Sequence, residues 1–142
     1  MDRDLIEQKL ESLRRALQRV IDKCPESAEL LSTDLDVQDI VALNLTRAVQ
    51  LSVDIGSHMI ACTDYPPPNT MGQVFEVLSV AGIIDTELAE RMKKSVGFRN
   101  LAVHNYEDIN WAIVYSIATR HLDDFKLFAK AIDVFERPKK PL

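Results

Sequence analysis

No stretch of this 142-residue chain approaches the ~20 consecutive apolar residues that a membrane-crossing helix needs. Its first residues, Met1-Asp2-Arg3-Asp4, are charged where a secretory leader would carry a basic start and then an apolar core. The expectation is a cytoplasmic protein without a membrane partner. Cysteine is scarce: Cys24 and Cys62 stand far apart, without the paired short spacings of a zinc site, and two thiols build no disulfide framework. His58 and Cys62 are one helical turn apart, but two ligands without well-spaced carboxylates fall short of a metal site. Basic charge is also in deficit, with 17 Lys and Arg against 22 Asp and Glu and a net charge of -5. That balance argues against a broad phosphate-binding surface, so any contact with nucleic acid must be local. Arg91, Lys93 and Lys94 offer one local cationic run, which equally fits the solvated last turn of a helix. Strand patterning is missing as well, since no segment alternates apolar and polar residues for long, and there is no internal repeat.

What is present is 46% hydrophobic residues in a chain of single-domain size, arranged at helical spacing. We read residues 1–136 as one all-α domain and 137–142 as a flexible tail. Ile6, Leu10, Leu13, Leu17, Val20 and Ile21 mark an amphipathic first helix that stops near Lys23, because Pro25 cannot continue it. The stretch from Pro25 to Asp36 reads as a connection with at most one helical turn. A long helix follows from about Val37 to Cys62, with Val37, Val41, Leu45, Ala48, Ser52, Ile55 and Met59 on one side. Its other side carries Asn44, Arg47, Asp54 and His58, a polar stripe that fits either solvent or the wall of a cleft. Tyr65-Pro66-Pro67-Pro68 is an extended connector, with Asn69 or Thr70 available as a cap. Two shorter helices are expected next, one ending near Gly82 and one starting near Asp85. The last helix, from about Asp108 to Phe135, carries Trp111, Tyr115, Ala118, Leu122, Phe125, Ala129 and Ile132 on one seam, and a helical bundle follows.

Chemistry concentrates in Arg99-Asn100-Leu101-Ala102-Val103-His104-Asn105-Tyr106. Arginine offers a planar, permanently charged fork for a phosphate, and histidine as a residue type exchanges protons near neutral pH. Together they suit cleavage of an RNA phosphodiester. Five positions on a continuous helix separate two side chains by roughly 140°, so Arg99 and His104 do not converge on one straight helix. The spacing therefore calls for a break in the helix or for a second subunit. Gly97 and Asn105-Tyr106-Glu107-Asp108 suggest the break, and an extended His104-Asn105-Tyr106 would point His104 and Tyr106 the same way.

The segment fits an Arg, four residues, His-x-Tyr pattern. With Gly97-Phe98 before it, the Phe75, Leu78, Ala81, Gly82, Ile83, Ile84 stretch and the Asn44-Leu45, Arg47-Ala48 helix, it resembles the HepT-like toxins of the HEPN superfamily over nearly the whole chain. The resemblance implies an up-and-down four-helix bundle with extra short helices, paired as a homodimer whose two motifs face each other. It implies a metal-independent endoribonuclease, the toxin of a type VII toxin–antitoxin system, whose product carries a 2′,3′-cyclic phosphate. In that scheme Arg99 binds the phosphate and its transition state, and His104 is general base or acid. Asn100 and Asn105 orient the phosphate or His104, and Arg47 and Asp54 help shape the cleft. No cofactor is implied for the chain itself. The implied partner is an MNT-type nucleotidyltransferase antitoxin, which uses ATP to place AMP on Tyr106, where added bulk and negative charge oppose RNA binding. The alternative is a noncatalytic helical module that docks a nucleotidyltransferase or a nucleotide.

Overall fold

Nearly every helix begins at a side chain that accepts one of its otherwise unpaired first N–H groups. The computed structural model describes residues 2–136, and the tail read from the sequence lies outside them. Asp2 caps α1 (Arg3–Lys23), Ser27 caps α2 (Ala28–Thr33), and Asp34 caps α3 (Leu35–Ala61). Thr70 caps α4 (Met71–Val80), Asp85 caps α5 (Thr86–His104), and Asn110 caps α6 (Trp111–Ser116). A single wide π segment, Ile117–His121, joins α6 to α7 (Leu122–Glu136) without interrupting the rod. The last helix thus begins at Trp111 rather than Asp108, because Tyr106–Asp108 coils as a 3-10 turn ahead of the Asn110 cap.

The fold is an all-α up-and-down bundle of four long units, α1, α3, α5 and the α6–α7 rod, with α2 and α4 as the short additions. α1 lies along α3, α4 packs on α3 and α5, α5 packs on α3 and α7, and α2 covers α6. Leu13, Val20, Val41, Leu45, Ile55, Met59, Phe75, Met92, Phe128 and Ile132 are fully or almost fully buried between them. Phe75 and Phe128 meet edge to face, with ring centroids 5.7 Å apart. α3 and α4 approach closely at Gly56, where a Cβ would stand 2.5 Å from Val74 Cγ1. The only positive φ among the described residues is that of Gly82, at 78°, which turns the chain out of α4.

One expected element is longer than the sequence pattern implied. α5 runs through Gly97 to His104 as a single 19-residue helix, not a short helix with a break after it. Gly costs a helix interior only about 1 kcal/mol, and burial of Leu88, Ala89, Met92 and Val96 outweighs that. The helix stops at Asn105, whose φ of -141° and ψ of 59° leave the helical region. No helix of the described residues is long and apolar enough to cross a membrane.

Candidate functional site

The C-terminal end of α5 brings the motif to the surface beside the first turns of α3. His104 is the last helical residue and is exposed. Arg99 lies on the same rod, five positions earlier and roughly 140° away around the axis. The anticipated break does not occur, and His104-Asn105-Tyr106 is not extended, because Asn105 ends one helix and the 3-10 turn begins at Tyr106. The alternation that would align His104 with Tyr106 therefore has no backbone to act on.

Arg99 is half-buried. Its Nη1 donates to Asn100 Oδ1 at 3.1 Å, while its Nε is buried without a hydrogen-bond partner. A buried donor left unpaired on a charged group is costly. Asn100 was expected to orient the phosphate or His104, and the hydrogen bond it makes here is to Arg99. Asn105 acts through its backbone: its N–H donates to Leu101 O at 2.8 Å and its carbonyl accepts from Asp108 N at 2.9 Å.

Tyr106 is tied to a residue that the sequence reading missed. Its hydroxyl donates to Asp39 Oδ1 at 2.6 Å, across 67 positions of sequence, and its ring meets Trp111 edge to face at 5.8 Å. Partial burial, and then the Asp39 carboxylate, hold the phenol proton more tightly than in an ordinary tyrosine. Trp111 reaches it because Asn110 starts α6 immediately after the turn. No local pattern announces Asp39, which is one more acidic residue early in a helix.

The other predicted residues are placed elsewhere. Asn44 is buried and its side chain donates back to Ile40 O at 2.8 Å. Arg47 is exposed, two helical turns beyond Asp39 on α3. Asp54 accepts from Gln50 at 3.1 Å and pairs with Lys9 of α1 at 3.8 Å, about 22 Å along the helix from Asp39. The structure does not bring it to the Tyr106 corner. The expected cationic run is also mostly spent within the fold: Arg91 donates to Asp124 at 2.8 Å and Lys93 pairs with Glu76. These residues sit in the middle of α5, not in its last turn. Among the described residues no group of three or more His, Cys, Asp or Glu side chains could hold a metal ion. Cys24, half-buried with its thiol pKa raised by burial, and exposed Cys62 are both free.

Beside the motif, α5, the 3-10 turn and the α6–α7 rod enclose an open groove of about 700 Å³. Phe98, Leu101, Ile109, Ile113, Ile117 and Phe125 form its apolar wall, with Lys94, His121 and Asp124 among its polar lining residues. Ile113 is 58% exposed there, and Gly97 faces open space, with nothing near a Cβ.

An α-helical bundle that carries Arg99 and His104 in the last turns of one helix, with Tyr106 just after it, has the build of a HEPN-type nuclease toxin. Residues 6–132 match the family described as Ribonuclease HepT-like, and the chain belongs to that family. It is 31% identical to the mRNA nuclease HepT of Shewanella oneidensis over 129 residues, covering 91% of this chain and 96% of that one. It is 26% identical to the tRNA nuclease HepT of Aphanizomenon flos-aquae over 131 residues, covering 92% and 89%. Its fold matches the tri-AMPylated HEPN toxin of Shewanella oneidensis, solved in complex with an MNT antitoxin, at a TM-score of 0.87 and 30% identity, over 94% of this chain and 99% of that one. The chain is thus an enzyme of the ribonuclease class.

Proposed function

We propose that the chain is the toxin of a HEPN/MNT pair and cleaves RNA without a metal, at a site that two copies of it complete. The observation that carries this is the unbroken α5, which separates Arg99 from His104 while leaving Arg99 Nε buried and unpaired. A homodimer that sets the Arg99 of one protomer against the His104 of its partner resolves both. The guanidinium gains a phosphate for its free donor, and the histidine approaches from the opposite side. Gly97 supports the same reading. A glycine inside a helix, facing open space in an apolar groove, costs stability for no purpose within its own chain, and it lets a second helix approach closely.

In this reading His104 takes the proton of the 2′-hydroxyl as that oxygen attacks the phosphorus, or returns a proton to the leaving 5′-oxygen. Arg99 stabilises charge on the nonbridging oxygens, held in orientation by Asn100, and Asn105 fixes His104 at the helix end. Arg47 and Asp54 are kept only as shaping residues of the α3 face. The product is a 2′,3′-cyclic phosphate. A nucleotidyltransferase antitoxin silences the chain by transferring AMP from ATP to Tyr106. Tyr106 is 37% exposed and follows two residues after His104, so the added phosphodiester lies where RNA must bind.

The test is RNA cleavage by the purified chain beside Arg99→Ala and His104→Ala, and by an equimolar mixture of the two variants. Both variants alone should be inactive, and a mixed dimer should regain part of the activity at its one intact composite site. Activity retained by both single variants overturns the assignment, and a chain that binds its antitoxin yet cuts no RNA favours a docking module.

A further inference from the structure

We propose that Asp39 is the group that takes the proton from Tyr106 when the tyrosine receives its adenylyl group, so that the toxin supplies the base for its own modification. This inference rests on the reading of Tyr106 as the AMP acceptor. A phenol is a poor nucleophile while it keeps its proton, and transfer to phosphorus goes well when a carboxylate accepts that proton as the new bond forms. The structure already holds such a pair: Tyr106 Oη donates to Asp39 Oδ1 at 2.6 Å.

Two further features make the contact suited to transfer. Trp111 braces the ring edge to face, so the hydroxyl is aimed by its own chain before any partner arrives. Tyr106 and Asp39 are both exposed, which leaves room for a triphosphate to reach the oxygen. Partial burial, and then the carboxylate, disfavour a free phenolate in the resting protein. A concerted step avoids that species. Tyr106 Oη bonds to the α-phosphorus of a nucleoside triphosphate held by the nucleotidyltransferase, the bond from that phosphorus to the β-phosphate bridging oxygen breaks, pyrophosphate leaves, and the phenol proton ends on Asp39. Once esterified, the tyrosine oxygen has no proton to donate. Its phosphodiester and the Asp39 carboxylate, which has by then released its proton to water, repel one another. Modification thus breaks the contact that made it fast, and frees the 3-10 turn from α3.

The experiment incubates the full chain with its nucleotidyltransferase and ATP and follows AMP addition by intact mass and peptide mapping. Asp39→Asn keeps the size and an accepting oxygen but no longer takes a proton, and AMP addition should slow by about 10²-fold or more. Replacing Tyr106 with 3,5-difluorotyrosine, a more acidic phenol, should recover most of that loss in Asp39→Asn. Binding of Asp39→Asn to the nucleotidyltransferase should stay within about twofold of the native chain. Addition at the native rate in Asp39→Asn overturns the proposal while leaving Tyr106 as acceptor. Slow addition that the fluorinated tyrosine does not recover, or a loss of partner binding that matches the loss of rate, also overturns it. Native-rate labelling of Tyr106→Phe instead overturns the reading on which it stands.

Discussion

The two halves of α5 share one helix and do opposite work. From Leu88 to Val96 the helix buries Leu88, Ala89, Met92 and Val96 against α3, α4 and α7. From Gly97 to His104 it buries no side chain fully, and it carries a half-buried Arg99 and the exposed Asn100 and His104. Stability is concentrated in the first half and the proposed chemistry in the second, and the packed first half is what fixes the position of the second. Substitutions in the two halves should therefore separate activity from folding.

The largest effect is expected at the exposed end. His104→Ala should lower RNA cleavage by about 10² to 10⁴. Its urea midpoint should stay close to native, because surface side chains without a packing role shift stability by only about 0.5 kcal/mol. Arg99→Lys keeps the charge but loses the planar fork, and should cost about 10² to 10³ in rate. A parallel loss of stability in either variant would erase the division between the halves. Met92→Ala probes the other side of the comparison. Met92 is fully buried, so truncation should cost about 2 to 5 kcal/mol in urea unfolding. Below the unfolding transition, its activity per folded molecule should remain near native.

Gly97 sits at the junction, and there the expected change is near 1 kcal/mol. Gly97→Ala should raise the helical stability of the isolated protomer by about 0.5 to 1 kcal/mol, since nothing obstructs a Cβ there. If a second copy packs at this groove, the same substitution weakens the dimer, and sedimentation at falling concentration will show it dissociating earlier. A variant that is more stable and equally dimeric moves the interface away from α5.

The same contrast explains what the sequence disclosed. Helix starts were readable at Thr70 and Asp85 because a cap is a local event, settled within three residues of its own chain. The buried stripe of α3 was readable for the same reason, through Val41, Leu45, Ala48, Ser52, Ile55 and Met59. The length of α5 was not, since Gly97 reads as a stop until the burial of Met92 and Val96 is known. The π segment at Ile117–His121 left no mark in a heptad-like seam, which named Leu122 and Phe125 but not Val114 or Phe128. Of the proposed site, the Arg99, His104 and Tyr106 motif was visible through resemblance. The cation run at Arg91 and Lys93 looked free, but Asp124 and Glu76, distant in sequence, neutralise it. Asp39 was invisible, because only the packed bundle places it against Tyr106.

That contact gives the smallest effect and the sharpest check on how the exposed end is held. Partial burial and the Asp39 carboxylate raise the proton affinity of Tyr106 in the folded chain above the value of 10.0 for a free tyrosine. Folding therefore favours the protonated phenol. The stability this contributes is fully present below about pH 10, and it is lost as pH rises from there through the higher folded value. Because both side chains are exposed, the bond should be worth no more than about 1 kcal/mol. The measurement is urea unfolding of the native chain beside Tyr106→Phe, which keeps the ring against Trp111 and removes only the hydroxyl. The native chain should be slightly more stable at neutral pH, and the gap should close at strongly alkaline pH. A gap of constant size across that range would mean that the hydroxyl is not what pins the 3-10 turn to α3. The ring against Trp111 alone would then have to hold the turn beside His104.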